Sequence, residues 1–371
     1  MNLRRLWAMA RKEAIQLRRD TRSLILAFLL PVLLLVIFGY AISWDVRDIR
    51  TAVLNQDQSA HARELLDAFR ASGYFTFRSD LARAQEIGPL LDGVGVQLVL
   101  VIPPDFSARL NAGRPAALQA IVDGSDANTA TIILAYTRAI VLSYSLDAQL
   151  QGARVNPPVT LESRVWYNEE LLSRNMIVPG LVAVIMMIVA AMLTSLTIAR
   201  EWERGTMEQL AATPVARAEV VLGKLLPYLG IGLVDVVVSA VLGVWIFDVP
   251  FRGNVLLFMG LSAFFLTGAL GLGVVISALA RSQLLATQIA MIVTFLPAYL
   301  LSGFMYAISV MPAPLQLLTY LIPARYFIVV TRGLFLKGVG PEALWLQGLL
   351  MIVFAALGLG LAIRSFRKEL G

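Results

Sequence analysis

The chain has 371 residues, of which 58% are hydrophobic and only 15% are charged, with a mean hydropathy of +0.74. Soluble domains carry roughly 25% charged residues, so this composition excludes an ordinary soluble protein and predicts a membrane protein with several spans. The absence of cysteine excludes disulfide bonds and thiolate chemistry, and a single histidine, His61, cannot build a histidine metal site alone. The net charge of +6 is compatible with nucleic-acid binding, but the basic residues cluster at the ends of apolar runs, where membrane topology explains them.

Residues 1–22 contain seven Lys and Arg residues, and apolar residues recur among them at helical spacing. The apolar positions are Leu3, Leu6, Trp7, Ala10, Ala14 and Leu17. This pattern predicts an amphipathic helix with a basic face, suited to the cytoplasmic surface of a membrane. Residues 23–44 follow without a charge before Asp45, which is long enough for a first transmembrane helix. Residues 41–43 would suit a signal-peptide cleavage site, but the apolar run is long for a signal, so we expect it to remain as a span.

Residues 45–173 differ from the rest because they are charged and contain glycine and proline turns. Apolar runs typical of strands alternate there with helical ones, which predicts an α/β domain on the far side of the membrane. The runs typical of strands are residues 51–54, 74–77, 96–102, 117–122 and 159–166. No catalytic constellation is recognisable in this domain. Residues 123–128 predict a turn and a helix cap, with an interaction site as the alternative.

Residues 174–371 are predicted to form five more spans. These are residues 175–199, 225–247, 253–280, about 284–305, and 343–363. Residues 282–324 hold no charge and are about twice as long as one span requires, so the chain must turn back there. We therefore expect re-entrant short helices between spans five and six, broken at Pro297, Pro312, Pro314 and Pro323.

The predicted fold is an α-helical polytopic membrane protein with six transmembrane helices and a large extracytoplasmic α/β domain between helices 1 and 2. Lys and Arg total fourteen in the short segments placed in the cytoplasm and four in the short outer segments. This bias favours an orientation with both termini in the cytoplasm.

A short polar stretch at about residues 200–214 lies between the second and third predicted spans. Gly205 should end the incoming helix, Thr206 and Gln209 predict a capping box for a short helix, and Pro214 suits the first position of the next helix. A short capped helix with charges of both signs suits docking on a cytosolic partner. A connecting loop with solvated charges is the alternative.

Asp235 lies near the middle of the third predicted span, where an ionisable group is costly. It is a candidate intramembrane polar site, facing a substrate cavity or carrying a proton, whereas a buried aspartate bonded to a neighbouring helix is the structural alternative. The chain has no ATPase motif, because its only Gly-Lys pair, at residues 223–224, is followed by Leu225 and has Ala218 in place of the first P-loop glycine. No catalytic or metal-binding set is predicted.

Taken together, these features resemble the permease subunit of ABC-2 type transporters, the bacterial exporter branch that includes multidrug permeases. Residues 199–210 read A-R-E-W-E-R-G-T-M-E-Q-L and, with Thr213-Pro214, are similar to the family's E-x-E-R-G-T-x-E-x-L stretch. Residues 123–129, 301–304 and 323–326 resemble three further signatures of the family. The likeness covers essentially the whole chain, with one departure at residues 167–169, where many relatives have Asn-Pro.

The resemblance implies that residues 200–214 form the coupling helix, which docks on a separate ATP-binding cassette subunit. The docking residues that it implies are Glu201, Glu203, Arg204, Gly205, Thr206, Glu208 and Leu210. ATP and Mg²⁺ would bind on that partner, and this chain would bind no cofactor and would not be an enzyme. Because six spans are half of the usual twelve-helix exporter, a second permease copy, identical or paralogous, is expected.

The leading hypothesis is a multi-pass permease of the bacterial inner membrane that couples ATP hydrolysis by its partner to efflux of drugs or other amphipathic substrates. A periplasmic adaptor protein is a further partner that the resemblance suggests, and no nucleic-acid partner is expected. The alternative is a membrane-anchored receptor or assembly scaffold that binds a protein through its extracytoplasmic domain. An intramembrane enzyme has little support, because one aspartate without paired carboxylates is a poor active site.

Overall fold

A computed structural model describes residues 2–42, 48–92, 95–125, 127–150, 167–168 and 172–366. The chain divides into two compact units, one formed by Met1–Ser43 with Arg164–Gly371 and the other by Trp44–Ser163. We call the first the membrane unit and the second the α/β unit.

The described part of the chain contains fifteen α-helices and four β-strands, besides short 3-10 and π-helical turns. In chain order they are α1 (Leu3–Arg19), α2 (Thr21–Ala41), β1 (Ile49–Asn55), α3 (Ala60–Ala71), β2 (Phe75–Asp80), α4 (Ile87–Asp92), β3 (Leu98–Ile102), α5 (Phe106–Asn111), β4 (Gln119–Val122), α6 (Ala127–Leu150), α7 (Ser173–Glu203), α8 (Met207–Ala211), α9 (Arg217–Trp245), α10 (Val255–Ala280), α11 (Gln283–Ala290), α12 (Leu296–Leu300), α13 (Ala313–Thr319), α14 (Pro323–Arg332) and α15 (Pro341–Ser365).

Six helices in the described residues are long and apolar enough to cross a membrane, judged by length and composition. They are Thr129–Leu146, Ser173–Glu203, Arg217–Trp245, Val255–Ala280, Gln283–Leu300 and Pro341–Ser365. The last five coincide with the spans predicted within residues 174–371. A polytopic, mostly helical membrane protein is therefore confirmed.

Helices α2 and α6 are both apolar but belong to different units. Helix α2 coincides with the first predicted span and contains Pro31. Helix α6, which also meets the criterion for a span, belongs to the α/β unit, where Ile133 is buried in the core and Tyr136 packs against the same cluster. This packing accounts for the apolar character of one face of α6.

Helix α7 forms the core of the membrane unit. Almost every side chain between Ile177 and Ala191 is buried, and the helix packs against α2, α9, α10, α11 and α14. A helix that is apolar all round is stable only when other apolar surfaces surround it. The uncharged sequence of residues 175–199 is compatible with this central position.

The uncharged stretch at residues 282–324 turns back, as its length requires. Helix α11 continues through a π-helical turn, Met291–Phe295, into α12, so that Gln283–Leu300 runs as one span with Pro297 in the first turn of α12. Beyond it, the helical segments Ala313–Thr319 and Pro323–Lys337 are bent by 76° relative to each other. That these helices dip into the membrane as a re-entrant pair stays a prediction.

The α/β unit contains a four-stranded sheet in the order β2-β1-β3-β4. Strand β1 pairs in parallel with β2 and β3, and β4 pairs antiparallel to β3. Four of the five predicted strand-like runs coincide with these strands, and the fifth, residues 159–166, lies outside the described residues. The domain bounds at residues 45 and 173 stay predictions. Asn168 belongs to the membrane unit, because its Oδ1 accepts hydrogen bonds from Leu172 N at 3.1 Å and Asn175 Nδ2 at 2.8 Å at the start of α7.

Candidate functional site

Helix α7 ends in a tight turn within the predicted coupling stretch. Gly205 has a φ of 67°, in the left-handed region that favours glycine. Its N–H donates to the Trp202 carbonyl at 3.1 Å, and the Thr206 N–H donates to the Glu201 carbonyl at 3.0 Å. This pair of hydrogen bonds is a Schellman cap, so the predicted helix break at Gly205 is confirmed.

The short helix that follows, α8, is not capped as the sequence predicts. None of the described residues of α8 donates a backbone hydrogen bond to the Thr206 side chain, so the predicted capping box with Gln209 is wrong. The Thr206 hydroxyl donates to the Glu201 carboxylate instead, because a charged acceptor competes well with a backbone cap. The prediction for Pro214 is also wrong, since the next helix, α9, begins at Arg217.

Glu201, near the end of α7, is buried between two lysines and is only 4% exposed. Its Oε1 accepts hydrogen bonds from Lys12 Nζ at 3.0 Å and from Lys224 Nζ at 3.2 Å. Because Lys12 belongs to α1 and Lys224 to α9, this one carboxylate joins three helices. Glu201 is therefore engaged inside the membrane unit and does not form part of its exposed surface.

Lys224 is held by a second carboxylate. Its Nζ lies 3.0 Å from Glu13 Oε2, and the Tyr228 hydroxyl donates to Glu13 Oε1 at 3.2 Å. Lys224, Glu13 and Tyr228 are each 2% exposed. We call Lys12, Glu13, Glu201, Lys224 and Tyr228 the buried charge cluster. Glu13, Glu201 and Lys224 are buried, whereas the Lys12 side chain lies at the edge of the cluster and is 48% exposed. Two lysines face two carboxylates, and such pairing is the condition under which buried carboxylates are tolerated.

Helix α1 presents a buried face to α9 and an exposed apolar face on its other side. The buried residues are Met9, Ala10, Glu13 and Leu17. The two helices approach closely at Gly223, where an added Cβ would lie 2.6 Å from the Met9 Cβ. Leu3 and Trp7 are 77% and 69% exposed, as suits contact with a membrane surface. Helix α1 coincides with the helix predicted for residues 1–22, and its protein-facing side includes the Glu13 carboxylate.

Further contacts hold both ends of α1. At its start, the Asn2 N–H donates to Glu219 of α9 at 2.5 Å, and Glu219 also accepts from the Ala216 N–H at 3.0 Å. At its end, Arg200 of α7 forms a salt bridge with Asp20 at 2.7 Å. The end of α7, the start of α9 and the whole of α1 are thus joined along their length.

The turn after α7 also contacts the connection between α10 and α11. Glu203 accepts a hydrogen bond from the Gln283 N–H at 2.7 Å and another from the Gln283 side-chain amide. A carboxylate at a helix N-terminus is favourable, so Glu203 caps α11. Beside it, the Arg281 guanidinium lies 4.8 Å from the centre of the Trp202 ring.

The seven docking residues implied by the resemblance differ in exposure. Those that are buried or half-buried are Glu201, Thr206 and Leu210. Those that are exposed are Glu203, Arg204, Gly205 and Glu208. Glu203 is committed to α11, whereas Arg204 and Glu208 form no salt bridge within the part of the chain that the structure describes. The exposed charge available to a partner is therefore concentrated in Arg204 and Glu208.

Asp235 lies inside the membrane unit on α9 and is 2% exposed. Its Oδ2 has no hydrogen-bond partner among the described residues, and the same holds for the buried hydroxyls of Ser239 on α9 and Ser262 on α10. Asp235 and Ser239 share the α9 face on which Gly232 approaches Leu266 of α10. Unpaired polar groups in an apolar core are costly, so this face of α9 is an unusual feature of the membrane unit.

The opposite end of α7 is held by an arginine of α14. Arg332 Nε donates to the Met176 carbonyl at 3.3 Å, and its Nη1 donates to the Gly303 carbonyl at 3.4 Å. Gly303 belongs to the signature at residues 301–304. In the signature at residues 323–326, the Arg325 guanidinium lies 4.0 Å from the centre of the Tyr320 ring. Both signatures therefore hold helix connections together.

Comparison with known proteins assigns this arrangement to a family. Residues 22–364 match the family described as ABC-2 family transporter protein, which covers every predicted span and the turn at Gly205. The chain belongs to the ABC-2 transporter family. Permeases of the ABC-2 family work with an ATP-binding subunit, so the chain is a transmembrane subunit of an ABC transporter.

Several ABC-2 relatives match along most or nearly all of their length. The Probable multidrug ABC transporter permease YbhS of Escherichia coli (strain K12) is 36% identical over 372 residues, which covers 100% of this chain and 98% of that protein. The Probable multidrug ABC transporter permease YbhR of the same strain is 33% identical over 368 residues, covering 98% of this chain and 99% of that protein. The Inner membrane transport permease YhhJ of that strain is 27% identical over 330 residues, covering 86% and 85%.

The sequence predicts the coupling stretch of this ABC-2 chain but not the partners of Glu201. The available signal is the position of Glu13, which lies on the same helical face as Met9, Ala10 and Leu17. A carboxylate on the protein-facing side of an amphipathic helix requires a buried partner. The identity of that partner, Lys224, depends on tertiary packing.

Proposed function

We propose that this permease couples ATP hydrolysis on a separate ATP-binding cassette subunit to export of drugs or other amphipathic molecules across a bacterial inner membrane. The observation that supports the proposal is α8, a five-residue helix between two long spans. Met207 and Leu210 fix it to the membrane unit, being 3% and 6% exposed, while Glu208 on the same helix is exposed. Glu208 and Arg204 therefore offer a partner one negative and one positive charge, at a helix that is held firmly by the membrane unit.

Movement of α8 would reach two other helices through the buried charge cluster. The Schellman turn at Gly205 joins α8 to α7, and Glu201 joins α7 to Lys12 of α1 and Lys224 of α9. Packed elements of this kind shift as units, because their interiors deform very little. A push by the partner on α8 would therefore displace the ends of α1, α7 and α9 together. In this proposal Glu201 and Thr206 position the docking surface and do not touch the partner.

The proposed substrate class is supported by the relatives and by Asp235. The printed names of YbhS and YbhR describe multidrug permeases. Asp235 offers an unpaired carboxylate oxygen inside the membrane unit, where it would contact a polar group of the substrate or carry a proton. ATP and Mg²⁺ would bind on the partner subunit, and this chain would supply no catalytic residue.

The proposed assembly contains a second permease copy, identical or paralogous, and two ATP-binding subunits. Both termini of the chain would be cytoplasmic. The α/β unit would be extracytoplasmic and available to a periplasmic adaptor protein. The rival proposal is a receptor or scaffold whose α/β unit binds a protein while the membrane unit only anchors it.

The experiment is a pull-down in detergent of the tagged chain with the ATP-binding protein encoded beside it. We expect Glu208→Arg to reduce co-purification at least about tenfold, because it places a like charge against the partner surface. Glu208→Gln should have a smaller effect. The matched control is Glu86→Arg, which makes the same charge change at an exposed glutamate of the α/β unit.

Nucleotide-stimulated transport by reconstituted complexes should fall in parallel with co-purification. Co-purification that Glu208→Arg leaves intact would remove α8 as the docking element. A wild-type chain that captures no ATP-binding protein, but still binds a protein through residues 45–173, would favour the receptor or scaffold.

A further inference from the structure

A cavity of about 600 Å³ lies where α7, α10 and α15 end on the same side of the membrane unit. Two arginines line it, Arg281 directly after α10 and Arg364 in the last turn of α15. Trp202 of α7 lines the same cavity, with Arg281 lying over its ring. The proposed export function assigns no ligand to this cavity.

The charge of the cavity predicts an anionic occupant. Its described lining includes two guanidinium groups and no carboxylate. Neither Arg281 nor Arg364 forms a salt bridge with another residue that the structure describes. Two like charges that line one cavity repel each other and attract an anion, which gains from both.

The rest of the lining is apolar and belongs to membrane-spanning helices. Val275 and Leu279 come from α10, and Leu361 comes from α15. Leu279 is 74% exposed and Leu361 is 54% exposed, so both would meet lipid chains in a membrane. Tryptophan is typical of the membrane–water interface, and Trp202 marks that level here. The cavity thus joins a cationic part at the interface to an apolar part along two spans.

We propose that this cavity binds one anionic phospholipid of the leaflet in which α10 and α15 end. Its phosphate would lie at Arg281 and Arg364, and an acyl chain would follow Leu279 and Leu361. Basic pockets between transmembrane helices bind such headgroups, and a volume of about 600 Å³ is in the range of small-ligand sites. A free phosphate would satisfy the arginines but would leave the apolar wall unused, so the lipid is the better match.

The position of the site gives it a connection to α8. Met207, the first residue of α8, lines the cavity as well. A lipid bound in the cavity would contact Met207 and would so help to hold α8 in place. Lipid binding is measured on the permease alone, so its outcome is independent of whether the ATP-binding subunit docks on α8.

The first experiment is native mass spectrometry of the full-length protein with phosphatidylglycerol or phosphatidylcholine of identical acyl chains. We expect retention of phosphatidylglycerol to fall about fivefold on removal of each arginine and about thirtyfold in Arg281→Gln/Arg364→Gln. Phosphatidylcholine retention should not change. The control is Arg83→Gln/Arg114→Gln, which removes the same charge from exposed positions of the α/β unit.

A second variant separates the cavity from its charge. Ala278→Trp keeps both arginines but fills the cavity, and it should lose phosphatidylglycerol while its thermal unfolding and elution volume stay those of the wild type. Brominated phosphatidylglycerol should quench a fluorescence component that is missing in Trp202→Phe.

Wild-type retention of phosphatidylglycerol by the double arginine variant would overturn the proposal, as would an equal loss in the Arg83→Gln/Arg114→Gln control. Displacement of the lipid by millimolar inorganic phosphate would also overturn it, in favour of a free anion.

Discussion

Lys224 of α9 lies 3.0 Å from Glu13 of α1, although 211 positions separate the two residues in the sequence. The same ammonium group lies 3.2 Å from Glu201 of α7, beside the turn that leads to α8. All three side chains are nearly inaccessible to solvent. A single lysine therefore links the N-terminal helix, the central helix and the third predicted span at the point where the proposed docking element leaves the membrane unit.

Removal of that lysine should release α1 from the membrane unit. We expect Lys224→Met to destabilise the contact between α1 and α9 by about 3–5 kcal/mol, because it leaves Glu13 and Glu201 buried with fewer partners. Hydrogen–deuterium exchange of residues 3–19 in the detergent-solubilised protein measures this loss. The addition of Glu13→Gln should recover part of the protection, since it removes one of the unpaired charges.

The control for this prediction is Arg70→Gln in the α/β unit. It breaks an exposed salt bridge with Asp67 at 2.8 Å, for which we expect about 1 kcal/mol or less. Exchange of residues 3–19 that is equally slow in Lys224→Met and in the wild type would show that the buried charge cluster does not hold α1.

The turn at Gly205 provides a second prediction. We expect Gly205→Ala to cost about 1–2 kcal/mol, because alanine is strained at a φ of 67°. Gly205→Asn should cost less, since asparagine tolerates the left-handed region. Co-purification of the ATP-binding subunit should fall in the order wild type, asparagine, alanine. Equal co-purification by all three proteins would mean that the geometry of this turn does not matter for docking.

Ionisation of the Asp57 carboxylate should stabilise the folded α/β unit. Asp57 Oδ2 accepts from the Ser107 N–H at 2.5 Å, and its Oδ1 accepts from the Ser59 N–H at 3.2 Å. Burial alone raises the pKa of Asp57, but the hydrogen bonds from Ser107 and Ser59 outweigh burial and hold this pKa below the ordinary value of 3.8. Since the folded pKa is the lower one, the stabilisation is present above about pH 4 and is lost as the pH falls through the folded pKa.

We therefore expect Asp57→Asn to lower the stability of the α/β unit by about 1–2 kcal/mol at pH 7 and to remove its acid dependence below about pH 4. Limited proteolysis of the full-length protein between pH 7 and pH 3 measures both effects. Asp67→Asn is the control, because Asp67 is exposed on a helix surface. An acid dependence that persists unchanged in Asp57→Asn would assign it to another group.

Local composition predicts the spans and the turn, and tertiary packing decides the rest. Five predicted spans coincide with helices because apolar runs of this length, four of them uncharged and one interrupted only by Asp235, satisfy their backbone hydrogen bonds in a membrane by forming helices. Gly205 is predictable because its role depends on its own backbone. Thr206 is different: the local pattern favours a cap on α8, but the neighbouring Glu201 carboxylate is a stronger acceptor.

Contacts between distant segments cannot be read from local patterns. The Glu13–Lys224 pair requires α1 to lie along α9, and nothing near either residue specifies that packing. The same holds for the parallel pairing of β1 with both β2 and β3. The helical register of residues 3–17 indicates that the protein-facing side of α1 contains a carboxylate. The sequence predicts no other feature of the buried charge cluster.

Asp235 provides the last prediction, which separates a functional role from a structural one. We expect Asp235→Asn to fold as the wild type does, because the amide has nearly the same shape and needs no charge stabilisation in the apolar core. We expect its efflux activity to fall at least about tenfold, since a carboxylate that contacts substrate or carries a proton cannot be replaced by an amide. Drug efflux in cells that express matched amounts of protein measures the difference.

The matched control is Ser239→Ala, which removes the neighbouring unpaired hydroxyl on the same face of α9 without a change of charge. It should transport at close to the wild-type rate, because only the carboxylate of Asp235 ionises. Full efflux by both Asp235→Asn and Asp235→Leu would show that the carboxylate takes no part in transport. A loss confined to Asp235→Leu, together with a lower unfolding temperature, would assign Asp235 to the packing of α9 against α10.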